Sequence, residues 1–177
     1  MMIDMYITSC NTTHNWFATG LYGSPYHPHK KLICDAINDL FSNKNPYNWL
    51  IFGDFNLILG AHEKQGGHGL DYNHTIMFNT TLNQCNLTDL GYNGYKYTWA
   101  NNQSDQAHIK ARLDRFCANS NWLNSFPYHI NTHLLRFTSD HSPILLEFSE
   151  YNQCRFSMPK NKIRRFEQVW AKDTDSH

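Results

Sequence analysis

The chain has 177 residues, and its 15 Lys and Arg balance 15 Asp and Glu to a formal net charge of zero. Hydrophobic residues make up 41% and aromatics 15%, which excludes a disordered composition and allows one packed domain. The neutral balance excludes a surface-wide field for polyanions but leaves room for a local basic groove, and no apolar run approaches the roughly 20 residues that span a bilayer.

In chain order, Met5 to Ser9 and Trp16 to Tyr22 read as strands, joined as a hairpin through the polar Asn11 to Asn15 stretch. Gly23-Ser24-Pro25 ends the second. A helix is expected from about Pro28 to Phe41, with Leu32, Ile33, Ala36, Ile37, Leu40 and Phe41 on one face. Trp49 to Phe52 is a short buried strand closed by Gly53. A Gly-rich loop (Gly60 to Asp71) leads to a second helix, roughly Asn73 to Cys85, with Phe78, Leu82 and Cys85 inward. Asn93-Gly94 signals a turn before an aromatic strand, Tyr95 to Trp99. Arg112 to Cys117, His129 to Leu135 and Ile144 to Phe148 read as further strands. Residues 1–150 form the expected domain, and 151–177, with Arg155, Lys160, Lys162, Arg164 and Arg165, a basic polar tail or linker. Many strands and two clear helices imply a mostly antiparallel α+β sandwich. The five cysteines (Cys10, Cys34, Cys85, Cys117, Cys154) form no CxxC pair, which points to reduced thiols. Met1-Met2-Ile3-Asp4 lacks the regions of a signal peptide. The expectation is an intracellular monomer that contacts no membrane, with the nucleus among its compartments.

Two polar islands carry the chemistry. Gly53-Asp54-Phe55-Asn56 follows an apolar strand and places a carboxylate and a carboxamide on one side of its end. Ser139-Asp140-His141-Ser142-Pro143 precedes another strand and sets a carboxylate beside an imidazole. Together they supply oxygen ligands, an amide and a proton-transfer group, as metal-assisted phosphodiester chemistry requires. Each has a plainer reading. Asp54 and Asn56 serve turn backbones in many proteins, Tyr22 could be packing, Asp114 the wet face of a half-buried strand, and Asp140-His141 a loop cap.

The order of a Tyr closing a strand, then GDFN, then Arg112-Leu113-Asp114-Arg115, then SDHSP resembles the endonuclease/exonuclease/phosphatase superfamily. Tyr22-Gly23-Ser24-Pro25, Glu63-Lys64-x-Gly66-Gly67, Asp89-Leu90-Gly91-Tyr92-x-Gly94 and Tyr97-Thr98-Trp99-x-Asn101 look like the endonuclease domain of plant LINE-type (non-LTR) retrotransposons. The tail Arg165-Phe166-Glu167-x-x-Trp170 resembles the segment leading to a reverse transcriptase domain in such elements. The resemblance implies a DNase I-like β-sandwich flanked by helices, hydrolase (endonuclease) activity on DNA, and Mg²⁺ or Mn²⁺. By the same resemblance, Asp54 orients or deprotonates water or protonates the leaving oxygen, Asn56 donates to water or phosphate, and Tyr22 hydrogen-bonds phosphate. Asp140 is the metal carboxylate, His141 stabilises phosphoryl charge, and Asp114 orients His141. Family members also carry an earlier Asn and a metal-binding Glu, and this sequence begins after both, so the resemblance implies an incomplete fold and absent or reduced activity. Three alternatives stand beside it: a non-catalytic remnant, a phosphatase of the same superfamily, and a metal-binding module built on His27, His29, His62, His68 and His74.

Overall fold

The computed structural model describes residues 1–8 and 13–151, so the proposed tail at 151–177 lies almost wholly outside the described residues, as does Ser9. Apolar alternation builds the central sheet. In β3 (Trp49–Asp54), Trp49 and Ile51 face one core while Leu50 and Phe52 face another, as the two-residue period of a strand requires. This strand lies in a five-stranded sheet with β1 (Met2–Ile7), β2 (Trp16–Tyr22), β9 (Asp114–Asn119) and β5 (Leu87–Asp89), in the order β1-β2-β3-β9-β5. β1 and β2 pair antiparallel, as the hairpin reading expects. β2 and β3 run parallel, and α1 (Lys30–Lys44) supplies the crossover that parallel neighbours need.

One face of the sheet is covered by α1 and α2 (Tyr72–Gln84). Ile33, Cys34 and Ile37 of α1 meet Phe78 and Leu82 of α2 over Leu21, Trp49, Ile51 and Cys117. Each such fully buried Leu, Ile or Phe contributes about 1.5–3 kcal/mol. The other face packs Leu50, Phe116 and Ala118 against Trp122 and Phe126, closed by Ile144, Leu146 and Phe148. The last three belong to β11 (Ile144–Ser149), which pairs antiparallel with β10 (Tyr128–His133). Here, then, is a sandwich with helices on one outer face. A small sheet of β4 (Lys64–Gln65), β8 (Lys110–Ala111) and β7 (Trp99–Ala100) flanks it, and β6 (Asn93–Gly94) adds to β10. No helix among the described residues is long and apolar enough to cross a membrane.

Several local expectations are corrected. Leu32 is 60% exposed, because the face of α1 that meets the sheet is centred on Ile33 and Ile37. Asn93-Gly94 is not a hairpin turn but a short parallel partner of Thr132 and His133. Tyr95 to Thr98 is not strand: the chain there sinks Thr98 into the core as an anchor for a neighbouring segment, and pairing starts at Trp99. Leu134 and Leu135 are exposed loop beyond β10. A short helix not expected from the sequence, α3 (Ser120–Ser125), is capped by the Asn119 side chain, which accepts from Trp122 N.

Three buried charges, Glu63, Arg112 and Arg115, and the half-buried Asp89 lock the small sheet to the large one. Arg115 is fully buried and donates to both Glu63 oxygens (3.2 and 2.9 Å), to Asp89 (2.7 Å), and to the Leu57 and Arg112 carbonyls. Arg112 adds bonds to Glu63 (2.8 Å) and a bidentate pair to Asp89 (2.9 and 2.7 Å). Burial raises the Glu63 carboxyl, but Arg115, the Leu59 N–H and Arg112 together hold the group below its ordinary value.

Candidate active site

Neighbouring strands of one sheet bring the site together. Tyr22 ends β2 directly beside Asp54 at the end of β3, and Asp54 pairs in register with Asp114 at the start of β9. Gly53 makes that approach possible: its φ is +128°, and a Cβ there would stand 2.1 Å from the Leu21 carbonyl oxygen. Asp54 then anchors a tight turn. Its Oδ1 accepts from Asn56 N (2.8 Å), and Asn56 Nδ2 donates to Asp54 Oδ2 (2.7 Å) and to the Gly23 carbonyl (3.0 Å). Asn56 sits at φ +50°, in the left-handed region that Asn tolerates better than most residues. The plain turn-satisfying reading of this pair is therefore correct as far as it goes. It also means that both amide hydrogens of Asn56 are engaged, so its immediate work is to hold Asp54 rather than to reach a phosphate.

His141 enters from the far side of the sandwich. Its Nδ1–H donates to Asp114 Oδ2 (2.9 Å), and its Nε2 lies 3.9 Å from Asp54 Oδ2. Trp99 and His141 form an isolated backbone bridge, which fixes the entering loop. The hydrogen bond from His141 to Asp114, together with the nearby carboxylates, raises the imidazole above its ordinary value against the effect of burial. Burial, reinforced by the charge of Asp114, pushes Asp54 up to about 6 despite the bond from Asn56 N. The site thus holds a carboxyl poised near neutrality and an imidazole biased toward its charged form.

A cavity of about 540 Å³ runs over these groups, lined by Tyr22, Asp54, Asn56, Asp140 and His141 together with Lys30. Asp114 lies behind His141 and lines an adjoining cleft. All six residues singled out from sequence therefore meet in one place, although the two motifs lie far apart in the chain. Asp140 accepts from the Trp99 indole N–H (3.0 Å), and this bond holds its carboxyl below the ordinary range.

Three contributors were not read as site residues from sequence. Lys30 Nζ donates to the Asn56 carbonyl (2.8 Å) inside the cavity, and burial lowers its ammonium below the ordinary lysine value. Thr98 is fully buried, and its Oγ1 accepts from both Leu113 N and Asp114 N (3.0 Å each), which sets the direction of the Asp114 carboxylate. Trp99 holds Asp140. Thr98 and Trp99 fall in the Tyr97-Thr98-Trp99 stretch, so a sequence signal existed for them; for Lys30 there was none. Of the histidines considered as a nitrogen cluster, His27 and His74 meet, joined by Asp71, and His29, His62 and His68 take no part in that group.

No protein-family model and no curated protein matches the chain. Solved structures do. It is similar to the endonuclease domain of TRAS1, a telomere-specific non-LTR retrotransposon, at TM-score 0.64 and 15% identity, covering 83% of this chain and 63% of that one. It is similar to the 3′ phosphatase NExo from Neisseria bound to a product DNA hairpin, at TM-score 0.58 and 15% identity, covering 81% and 63%. The Xenopus laevis APE2 catalytic domain matches at TM-score 0.51 and 16% identity, covering 86% and 57%. These neighbours belong to the endonuclease/exonuclease/phosphatase superfamily, and the chain has their α+β DNase I-like fold. It spans less than two thirds of the length of each of them.

Proposed function

We propose that the chain is an endonuclease-type phosphodiesterase domain that nicks DNA with a divalent cation, of the kind carried by LINE-type retroelements. One observation carries the reading. Asp54 Oδ2 and His141 Nε2 face each other across 3.9 Å on the wall of a cavity, with Asp114 bound to the far nitrogen of the imidazole. An oxygen placed about 2.8 Å from each fits between them at hydrogen-bonding distance.

From that geometry the roles follow. Asp54, near pKa 6, is largely ionised at neutral pH yet basic enough to take the proton of an attacking water. As the new P–O bond forms and the bond to the leaving sugar oxygen breaks, negative charge grows on the phosphoryl oxygens. His141, held charged and oriented by Asp114, donates Nε2–H to one of them. Asn56 keeps Asp54 in place, Tyr22 lines the wall where a phosphate would bind, and Lys30 adds local positive charge.

The donor set suits a hard cation such as Mg²⁺ or Mn²⁺, with Asp140 the exposed carboxylate and Asp54 the buried one. When bound, such an ion would neutralise charge on the phosphoryl group. Two carboxylates are a thin set, so affinity for the ion should be weak and should depend on phosphate as a further ligand. The retroelement assignment draws on the likeness to the TRAS1 domain and on the motif resemblance. Those motif residues have structural work in this chain: Glu63 in the buried charge network, Thr98 behind Asp114, Trp99 on Asp140.

The test offers the folded protein supercoiled plasmid and a 3′-phosphorylated oligonucleotide, each with Mg²⁺ or Mn²⁺. Nicked circles, lost in Asp54→Ala and His141→Ala, support the proposal. Phosphate release without nicking would move the chain to the phosphatase branch, and no reaction on either substrate would leave a non-catalytic remnant.

A further inference from the structure

Asp71 and His74, which line the same cavity, meet His27 in a second concentration of ligand atoms. Asp71 caps α2: its Oδ1 accepts from His74 N (3.1 Å), which leaves Oδ2 turned toward two imidazoles. His27 Nε2 lies 2.5 Å from Oδ2 and His74 Nδ1 lies 3.0 Å from it. The two rings sit with centroids 4.1 Å apart. All three ligand atoms fall within 4.8 Å of one another, and among the described residues no other His, Cys, Asp or Glu group gathers this closely. A second observation points to a missing ligand. His74 Nδ1 is buried from solvent, yet despite its closeness to Asp71 it makes no well-directed hydrogen bond. An ion shared with Asp71 and His27 would give that nitrogen a directed bond in place of its poorly aligned contact with Asp71.

We propose that His27, Asp71 and His74 form a site for a borderline divalent ion such as Zn²⁺ or Co²⁺. Two imidazoles and one carboxylate select such ions over Mg²⁺, which prefers an all-oxygen octahedron. Around a tetrahedral ion, ligand atoms stand roughly 3.3 Å apart. The 3.0 Å gap nearly meets this, and the exposed His27 side chain is free to open the 2.5 Å gap. Asp71 is fixed by its capping bond and His74 by its place on the helix, so His27 is the adjustable ligand. Asp71 and His74 line the cavity that also holds Asp54 and His141, so a water or an anionic oxygen from that side would complete the ligand set. The site is distinct from Asp140 and does not depend on the nuclease reading.

The test uses the full chain, stripped of metal by chelator dialysis and titrated with Co²⁺ while the visible d–d bands are followed. The expected result is one equivalent bound, displaced by Zn²⁺ but not by Mg²⁺. His27→Ala and His74→Ala should each weaken binding by at least about tenfold. A His62→Ala, His68→Ala double variant and His141→Ala should leave it unchanged. His27 is exposed, so its variant keeps the fold, and an unchanged far-ultraviolet dichroism spectrum confirms that a loss reflects the ligand. Absence of d–d bands, titration unaltered by His27→Ala, or loss in His141→Ala would each overturn the proposal.

Discussion

Arg115→Met removes the guanidinium at the centre of the buried charge network while leaving a side chain that fills much of the same space. Five hydrogen bonds disappear: two to Glu63, one to Asp89 and one each to the Leu57 and Arg112 carbonyls. Glu63 is only 3% exposed and cannot recover its hydration, and Arg112 alone remains to serve two carboxylates. Breaking a buried pair by removing one partner costs about 3–5 kcal/mol, a large part of a domain stability of roughly 5–15 kcal/mol. With a urea slope near 2 kcal/mol/M, the unfolding midpoint, followed by fluorescence of the buried Trp49 and Trp122, should fall by about 2 M. Adding Glu63→Gln should recover at least about 1 kcal/mol, because the stranded charge is then gone. The exposed Lys31–Asp35 pair is the contrast: Lys31→Ala should cost less than about 0.5 kcal/mol. A loss below about 1 kcal/mol in Arg115→Met would show that this charge does not hold the network together.

The rate of DNA cleavage should be bell-shaped in pH. Its acid limb lies near 6, where Asp54 takes up its proton, and its alkaline limb lies above the ordinary histidine value, where the raised His141 loses its charge. Asp114→Asn removes the negative charge that helps to raise His141 and part of the repulsion that raises Asp54, so both limbs should move to lower pH; an NMR titration of the His141 ring checks the alkaline limb directly. For stability the signs differ. His141 favours the folded state below its unfolded value, and that contribution fades as pH rises through its higher folded value; the raised Asp54 opposes folding once both states are ionised. Thr98→Val leaves the half-buried amides of Leu113 and Asp114 without their acceptor, which should cost about 1–3 kcal/mol by urea unfolding and slow cleavage through a misdirected Asp114.

The legible part of this site lay where chemistry and strand punctuation coincide. Asp54 and Asn56 stand just past an apolar run with a glycine that only a close strand approach demands, and Asp140 and His141 stand just before another. No local period paired the two islands; the likeness of their order along the chain to the superfamily's motifs did. Lys30 was not legible, because a lysine at the start of a helix carries no mark of facing inward until the Asn56 turn is placed beneath it. The charge network was equally hidden: Arg115 and Glu63 lie 52 residues apart, and no local period links them. Tyr95 to Thr98 misled because its aromatic and threonine content suits a strand, whereas the burial of Thr98 serves another segment's amides. α3, six residues long, is too short to show a helical period and is set by the Asn119 cap and the burial of Trp122.

The central claim is that Asp54 and His141 act on one phosphate as a single unit. The most direct measurement is plasmid nicking by the wild type, Asp54→Asn, His141→Ala and the double variant under identical metal and pH. Each single change should remove nearly all cleavage and the double variant should lose little more, the non-additivity expected of groups that share one transition state. Losses that multiply independently, or a wild-type rate in either single variant, would contradict it.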